Sequence, residues 1–138
     1  MNRKFISDIV PPTNCPEPAW WFAFSGNKLL IQPESSSVRI PYLVDLADLT
    51  LPLLSQHYLG RLEHTHCYAV ELKEGAIPPV GMSFEGLRQV YGRLDEDLFW
   101  VAARAVQIVD WDRTHQFCGR CGSPLITKTT ERAKECPQ

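Results

Sequence analysis

The stretch Leu94-Asp95-Glu96-Asp97-Leu98-Phe99-Trp100-Val101-Ala102-Ala103-Arg104-Ala105-Val106-Gln107-Ile108-Val109-Asp110-Trp111 decides the architecture. Leu94, Leu98, Val101, Ala102, Ala105, Ile108 and Val109 recur at offsets of three and four, the spacing of one helical face. Asp95 stands where an N-cap is wanted, and Glu96 and Asp97 put negative charge in the first turn, where the helix dipole favours it. Leu98, Ala102, Ala105 and Val109 are therefore expected to lie inward, and the segment Ser83 to Gly92 is expected to form a shorter helix just before.

Upstream of this helix the pattern is that of strands. Trp20-Trp21-Phe22-Ala23-Phe24, the turn signal Ser25-Gly26-Asn27 and Lys28-Leu29-Leu30-Ile31-Gln32 together make a β-hairpin. Tyr58 to Glu63 and His66 to Leu72 read as two more strands, the second with Tyr68, Val70 and Leu72 on one face and Cys67, Ala69 and Glu71 on the other. Gly75 to Gly81, with Pro78-Pro79, closes the sheet region, residues 33–37 are a loop, and 38–56 sustain neither a helical nor a strand period. The first 18 residues, with Pro11, Pro12, Pro16 and Pro18, read as an extended lead-in. The expectation is an α+β fold: a small mixed or antiparallel sheet with a long C-terminal helix over residues 1–112, followed at 113–138 by a short Gly- and Cys-bearing ribbon.

Bulk composition agrees with a folded domain. The chain has 138 residues, 44% hydrophobic and 22% charged, with mean hydropathy −0.19, which excludes disordered and collagen-like classes. Its 11 prolines predict many loops. Its longest apolar runs, Ala19 to Phe24 and Leu98 to Ala103, are far short of the roughly 20 residues a membrane-spanning helix needs. Phe5-Ile6 is broken by Ser7-Asp8 and Pro11-Pro12, so no secretory core is read there and a cytoplasmic setting is expected. The net charge of −2 is uneven: residues 113–138 carry Arg113, Arg120, Lys128, Arg132 and Lys134 against Glu131 and Glu135, while the rest of the chain is acidic. Most of the surface therefore does not suit a polyanion.

Five cysteines cannot all pair, and in a reducing compartment metal binding or unpaired thiols are the better reading. Cys118 and Cys121 form C-x-x-C, with Gly119 and Gly122 relieving the turn where amides crowd the sulfurs, and this arrangement lets two thiolates reach one ion. A thioredoxin-type redox pair would follow a strand, whereas this one follows a helix. Cys136 opens a second knuckle whose closing cysteine would come after Gln138, so the ribbon is read as truncated, with His115 as a candidate stand-in ligand. After Phe117 only Leu125 and Ile126 are large aliphatics, so without metal the ribbon is expected to be weakly held. Cys15 and Cys67 read as a loop thiol and a buried strand residue, and His57, His64 and His66 as surface or hydrogen-bonded residues. Trp100 and Trp111 read as core or interface residues. No phosphate-binding loop, nucleophile elbow, zinc-protease helix motif or dinucleotide fingerprint is found, so no catalytic residue is assigned.

The helix at 94–111, the run His115-Gln-Phe-Cys-Gly-Arg-Cys-Gly-Ser and Lys134-Glu-Cys-Pro together closely resemble the region that precedes the Nudix domain in NADH pyrophosphatases. The likeness is close over residues 87–138 and loose before them. It implies a parent enzyme that splits NAD(H) into nicotinamide mononucleotide and AMP, in some members removing NAD caps from RNA, with Mg²⁺ or Mn²⁺ held by the glutamates of a Nudix box. It also implies a structural Zn²⁺ on Cys118, Cys121 and Cys136, which with three thiolates and one open position of the tetrahedron is expected to be held only partially in these 138 residues, and a homodimer. No segment fits G-x5-E-x7-R-E-x2-E-E-x-G, so the expected role is structural and non-catalytic, with NAD(H) bound by a Nudix domain outside this chain. The competing expectation is a zinc-ribbon module that binds nucleic acid or a protein partner; residues 122–135 contain no aromatic side chain for base stacking, which disfavours it.

Overall fold

The computed structural model describes residues 3–13, 17–128 and 131–137. In chain order the elements are β1 (Phe5–Ser7), β2 (Ala19–Ser25), β3 (Lys28–Pro33), β4 (Val38–Arg39), β5 (Tyr42–Leu43), a 3₁₀ turn (Leu46–Leu49), β6 (Leu53–Leu62), β7 (Thr65–Leu72), β8 (Ser83–Gly86), α1 (Leu87–Val90), α2 (Glu96–Thr114), β9 (Ile126–Thr127) and β10 (Lys134–Glu135). The first eight strands form one sheet in the order β1-β6-β7-β2-β3-β4, with β5 beside β2 and β8 beside β3. The β2–β7 pairing is parallel and the others antiparallel, so the sheet is mixed and the fold is α+β as expected.

The continuous apolar run of β2 is explained by burial on both faces. Phe22 and Phe24 join Leu29, Ile31, Leu59, Cys67 and Ala69 against α2, which lays Leu98, Val101, Ala102, Ala105, Ile108 and Val109 on that face. Trp21 and Ala23 point the other way, with Leu30, Val70 and Leu72, and are covered by Leu46 and Leu51 from the segment around the 3₁₀ turn. The helix register read from the sequence is the one observed.

Three local expectations change. Ser83–Gly86 is a strand, because the open edge of β3 takes it into register from Lys28↔Gly86 to Ile31↔Ser83; only Leu87–Val90 is helical, and Gly92 at φ +82° lies in the turn that follows. The lead-in is not merely extended. Phe5–Ser7 pairs with β6, crossing it at Gly60, whose φ of +127° sits at a register shift and where a Cβ would run into the Ile6 carbonyl. Asp95 occupies the N-cap position of α2 without a side-chain cap bond. Asp97 instead accepts from its own neighbour Leu98 N at 2.7 Å and takes a bidentate grip from Arg3, Nε to Oδ2 at 2.6 Å and Nη2 to Oδ1 at 3.0 Å. Its side chain is 4% exposed. Burial pushes its carboxyl up, but the Arg3 guanidinium and the two backbone N–H groups outweigh this and hold it below the ordinary carboxylate value. Cys15 lies outside the described residues, among which no helix is long and apolar enough to cross a membrane.

Candidate metal centre

After Thr114 the chain leaves α2 and makes a bridge between Phe117 and Pro124. Between them a tight knuckle forms: Cys118 N donates to Ser123 O and Gly122 N to Cys118 O, each at 2.8 Å, with Gly122 at φ +77°. Arg120 N points at Cys118 Sγ from 3.4 Å, the amide-to-sulfur contact that stabilises a thiolate. The chain then returns through the two-stranded ribbon β9–β10, in register Lys134↔Thr127 and Glu135↔Ile126, and delivers Cys136 to the knuckle.

The Sγ atoms of Cys118, Cys121 and Cys136 all lie within 4.8 Å of one another, and those of Cys121 and Cys136 are 3.3 Å apart. Four sulfurs about 2.3 Å from a tetrahedral ion sit about 3.8 Å from each other, so three of these thiolates fit the edges of such a site. This is the only group of three or more potential metal-ligating side chains so close together among the described residues. The Cys121 thiol is pulled down to about 7 by hydrogen bonds from Ser123, first its side chain and then its backbone, and further by Cys136 and Cys118. A thiol so lowered is ready to ligate as thiolate.

The other candidates fall elsewhere. His115 Nδ1 lies 2.8 Å from Trp111 O and 3.0 Å from Thr114 Oγ1, and the residue is outside the cysteine group. His66 Nδ1 is 2.7 Å from the Tyr58 hydroxyl, whose proton burial holds up to about 12. Cys67 is fully buried, its thiol pushed up to about 12 by burial, and is chemically quiet. Trp100 is 60% exposed and so not a core residue, while Trp111 is half-buried beneath the ribbon.

What the sequence did not single out is how the ribbon is attached. Lys134, one of five basic residues there, has a side chain only 6% exposed. Its Nζ donates to Asp112 Oδ1 at 2.6 Å, Asp112 O at 3.0 Å and His115 O at 2.8 Å, and stands 5.2 Å from the centre of the Trp111 ring. Arg132 reaches Tyr58 O at 2.5 Å and Asp8 O at 3.1 Å. Asp112 Oδ2 also faces His57 Nε2 at 3.5 Å; that nitrogen is buried without a hydrogen-bond partner, and burial lowers the imidazole's pKa. In the sequence Lys134 looks like any other strand lysine, and only the folded end of α2 supplies the acceptors that bury it.

Two family models match the chain in tandem: the NADH pyrophosphatase-like rudimentary NUDIX domain over residues 18–111, and the NADH pyrophosphatase zinc ribbon domain over 113–138. The chain is 46% identical over 133 residues to the NAD-capped RNA hydrolase NudC of Deinococcus radiodurans, covering 96% of this chain and 43% of that protein. It is 42% identical over 92 residues to the enzyme of the same name from Stutzerimonas stutzeri, and 40% identical over 86 residues to that of Pseudomonas fluorescens, covering 67% and 62% of this chain and 33% and 31% of those proteins. The chain thus spans less than half the length of these curated relatives.

Proposed function

Because the chain belongs to the NADH pyrophosphatase family, we propose that it supplies the N-terminal domain (1–112) and zinc ribbon (113–138) of an enzyme hydrolysing the diphosphate of NAD(H), including NAD caps on RNA. In this reading the two modules are structural and non-catalytic, they act in a cytoplasmic homodimer, and the Mg²⁺- or Mn²⁺-binding glutamates of the reaction belong to a Nudix box that residues 1–138 do not contain. Cys118, Cys121 and Cys136 would hold Zn²⁺, which ties the knuckle to the returning strand.

The observation that carries the proposal is the convergence of three thiols behind a helix and ribbon matching the family in order. A ribbon that grips nucleic acid is disfavoured by where its cations go. Four of its five cations are engaged: Arg113 by Asp110 and Glu71, Lys128 by Glu131, Lys134 by Asp112, and Arg132 by backbone carbonyls, which leaves exposed Arg120. Two assays test the reading. The purified 138-residue chain should release no AMP from NADH with Mg²⁺ or Mn²⁺, whereas the natural polypeptide that carries it should; AMP from the former, or none from the latter, would each overturn one half of the proposal. Zinc should be the metal recovered on elemental analysis, and its absence would sink the metal assignment.

A further inference from the structure

We propose that Lys134 is a positioning residue for the metal centre: its ammonium clamps the outgoing and returning arms of the ribbon to each other and to the end of α2, and so presets the spacing of Cys118, Cys121 and Cys136. The inference rests on the zinc reading above and adds to it a residue that is not a ligand.

The geometry is that of a clamp. An ammonium has three N–H donors, and here each has a protein acceptor: the Asp112 carboxylate, Asp112 O and His115 O. His115 O belongs to the arm that leads three residues later to Cys118, and Lys134 itself lies two residues before Cys136. One charge therefore joins both arms at the base of the site. Asp112 O lies in the last turn of α2, where it also accepts from His115 N at 3.4 Å and from Gln116 Nε2, and His115 is the C-cap; a cation is favoured at this end of a helix. Near the returning strand, Arg132 reaches Tyr58 O and Asp8 O in the sheet domain, Lys134 reaches the end of α2, and Cys136 meets Cys121 at the knuckle.

The consequence is coupling. The ribbon buries little apolar surface of its own, Ile126 being 51% exposed, so without the clamp its arms are held by Arg132, the short β9–β10 pairing, the Phe117–Pro124 bridge and the backbone bonds Leu125 N to Gln116 O and Lys128 N to Ala133 O, none of which ties Cys136 to the end of α2. Zinc binding must then supply the ordering that the clamp otherwise supplies in advance, and affinity falls. Removal of a side chain that orients metal ligands without touching the metal characteristically lowers affinity by roughly 10–100-fold.

The test is zinc affinity by chelator competition in the 138-residue chain. Lys134→Met should weaken binding roughly tenfold or more. The Asp112→Asn/Lys134→Met double variant should be no weaker than Lys134→Met alone, since both changes break one device. Arg120→Gln, which removes the cation between the two knuckle cysteines, is the control for charge alone and should shift affinity less than about twofold. A residue that merely stabilised the domain would lower the melting temperature and leave the competition curve of the folded chain unmoved. Should Lys134→Met not fold, the double variant, which leaves no uncompensated carboxylate, carries the measurement. Affinity within twofold of the unchanged chain, or an equal loss in Arg120→Gln, overturns the clamp while the zinc assignment stands. No zinc in the unchanged chain overturns the assignment and the clamp together.

Discussion

The sheet domain and the ribbon are held together by opposite means. In the domain, β2 is buried on both faces and α2 contributes six residues to one of two apolar clusters, so its stability comes from area removed from water. In the ribbon no described apolar residue is buried, and the contacts outside the backbone are cations on carbonyls and thiols on one another. The difference teaches that a short segment after a helix can be placed accurately without a core, provided that its cations cap that helix and its cysteines converge as Cys118, Cys121 and Cys136 do. It also sets the scale of what each region should lose when perturbed.

The largest expected effect is metal removal. Structural zinc in a segment this short supplies most of its folding free energy. Chelation should therefore abolish amide-exchange protection at Cys118, Gly122 and Leu125, whose N–H groups bond within the ribbon, while Ala69 and Val101 in the domain keep theirs. Equal loss in both regions would mean that the domain depends on the metal, and the contrast would fail.

Next comes the core. Leu98 is 3% exposed on the inner face of α2, so Leu98→Ala should cost about 2–5 kcal/mol, read from denaturant or thermal unfolding. Lys28→Ala, an exposed strand position, should cost less than about 0.5 kcal/mol. Similar small losses from both would show that α2 does not carry the domain.

The domain also contains one polar device, and it gives a pH signature. Arg3→Ala leaves Asp97 buried without its counter-charge; because Arg3 is 27% exposed and partly screened, the cost should be about 2–3 kcal/mol, below that of a fully buried pair. The sign with pH follows from Asp97, whose folded-state pKa is lowered from 3.8. Its contribution is complete above that value and is lost as pH falls below it through the folded value, so Asp97→Asn should flatten the acid limb of the stability profile and leave its neutral shape alone. An unchanged acid limb would assign acid unfolding to other carboxylates.

Local pattern made part of this legible. The three-and-four spacing from Leu94 to Val109, the Ser25-Gly26-Asn27 turn and the C-x-x-C spacing each concern residues within a turn or two of each other, and each is seen as read. What was not legible depends on distant partners. Arg3 meets Asp97 across 94 positions, the parallel β2–β7 pairing joins strands with four others between them in the chain, and Ser83–Gly86 became a strand only because β3 offered an edge. Lys134 is the sharpest case, since burying a lysine requires three acceptors that only the folded end of α2 assembles. Even the identity of Asp97 as a helix-start charge was half right: it lies in the first turn, yet its carboxylate is spent on Arg3.

The smallest effect is the most pointed test of the comparison. Ile126 is one of two large aliphatic residues in the ribbon, and by composition alone it would be the natural anchor. It is 51% exposed, sits opposite Glu135 in the β9–β10 pair, and belongs to neither apolar cluster. Its truncation removes little area from a buried contact and opens no cavity, so Ile126→Ala should change stability and zinc retention by less than about 0.5 kcal/mol. That lies well below the loss expected at Leu98 for a similar deletion of methyl groups. A loss at Ile126 above about 1.5 kcal/mol, measured as unfolding or as zinc release, would mean that apolar burial holds the ribbon after all, and that cations and thiols alone do not account for its placement.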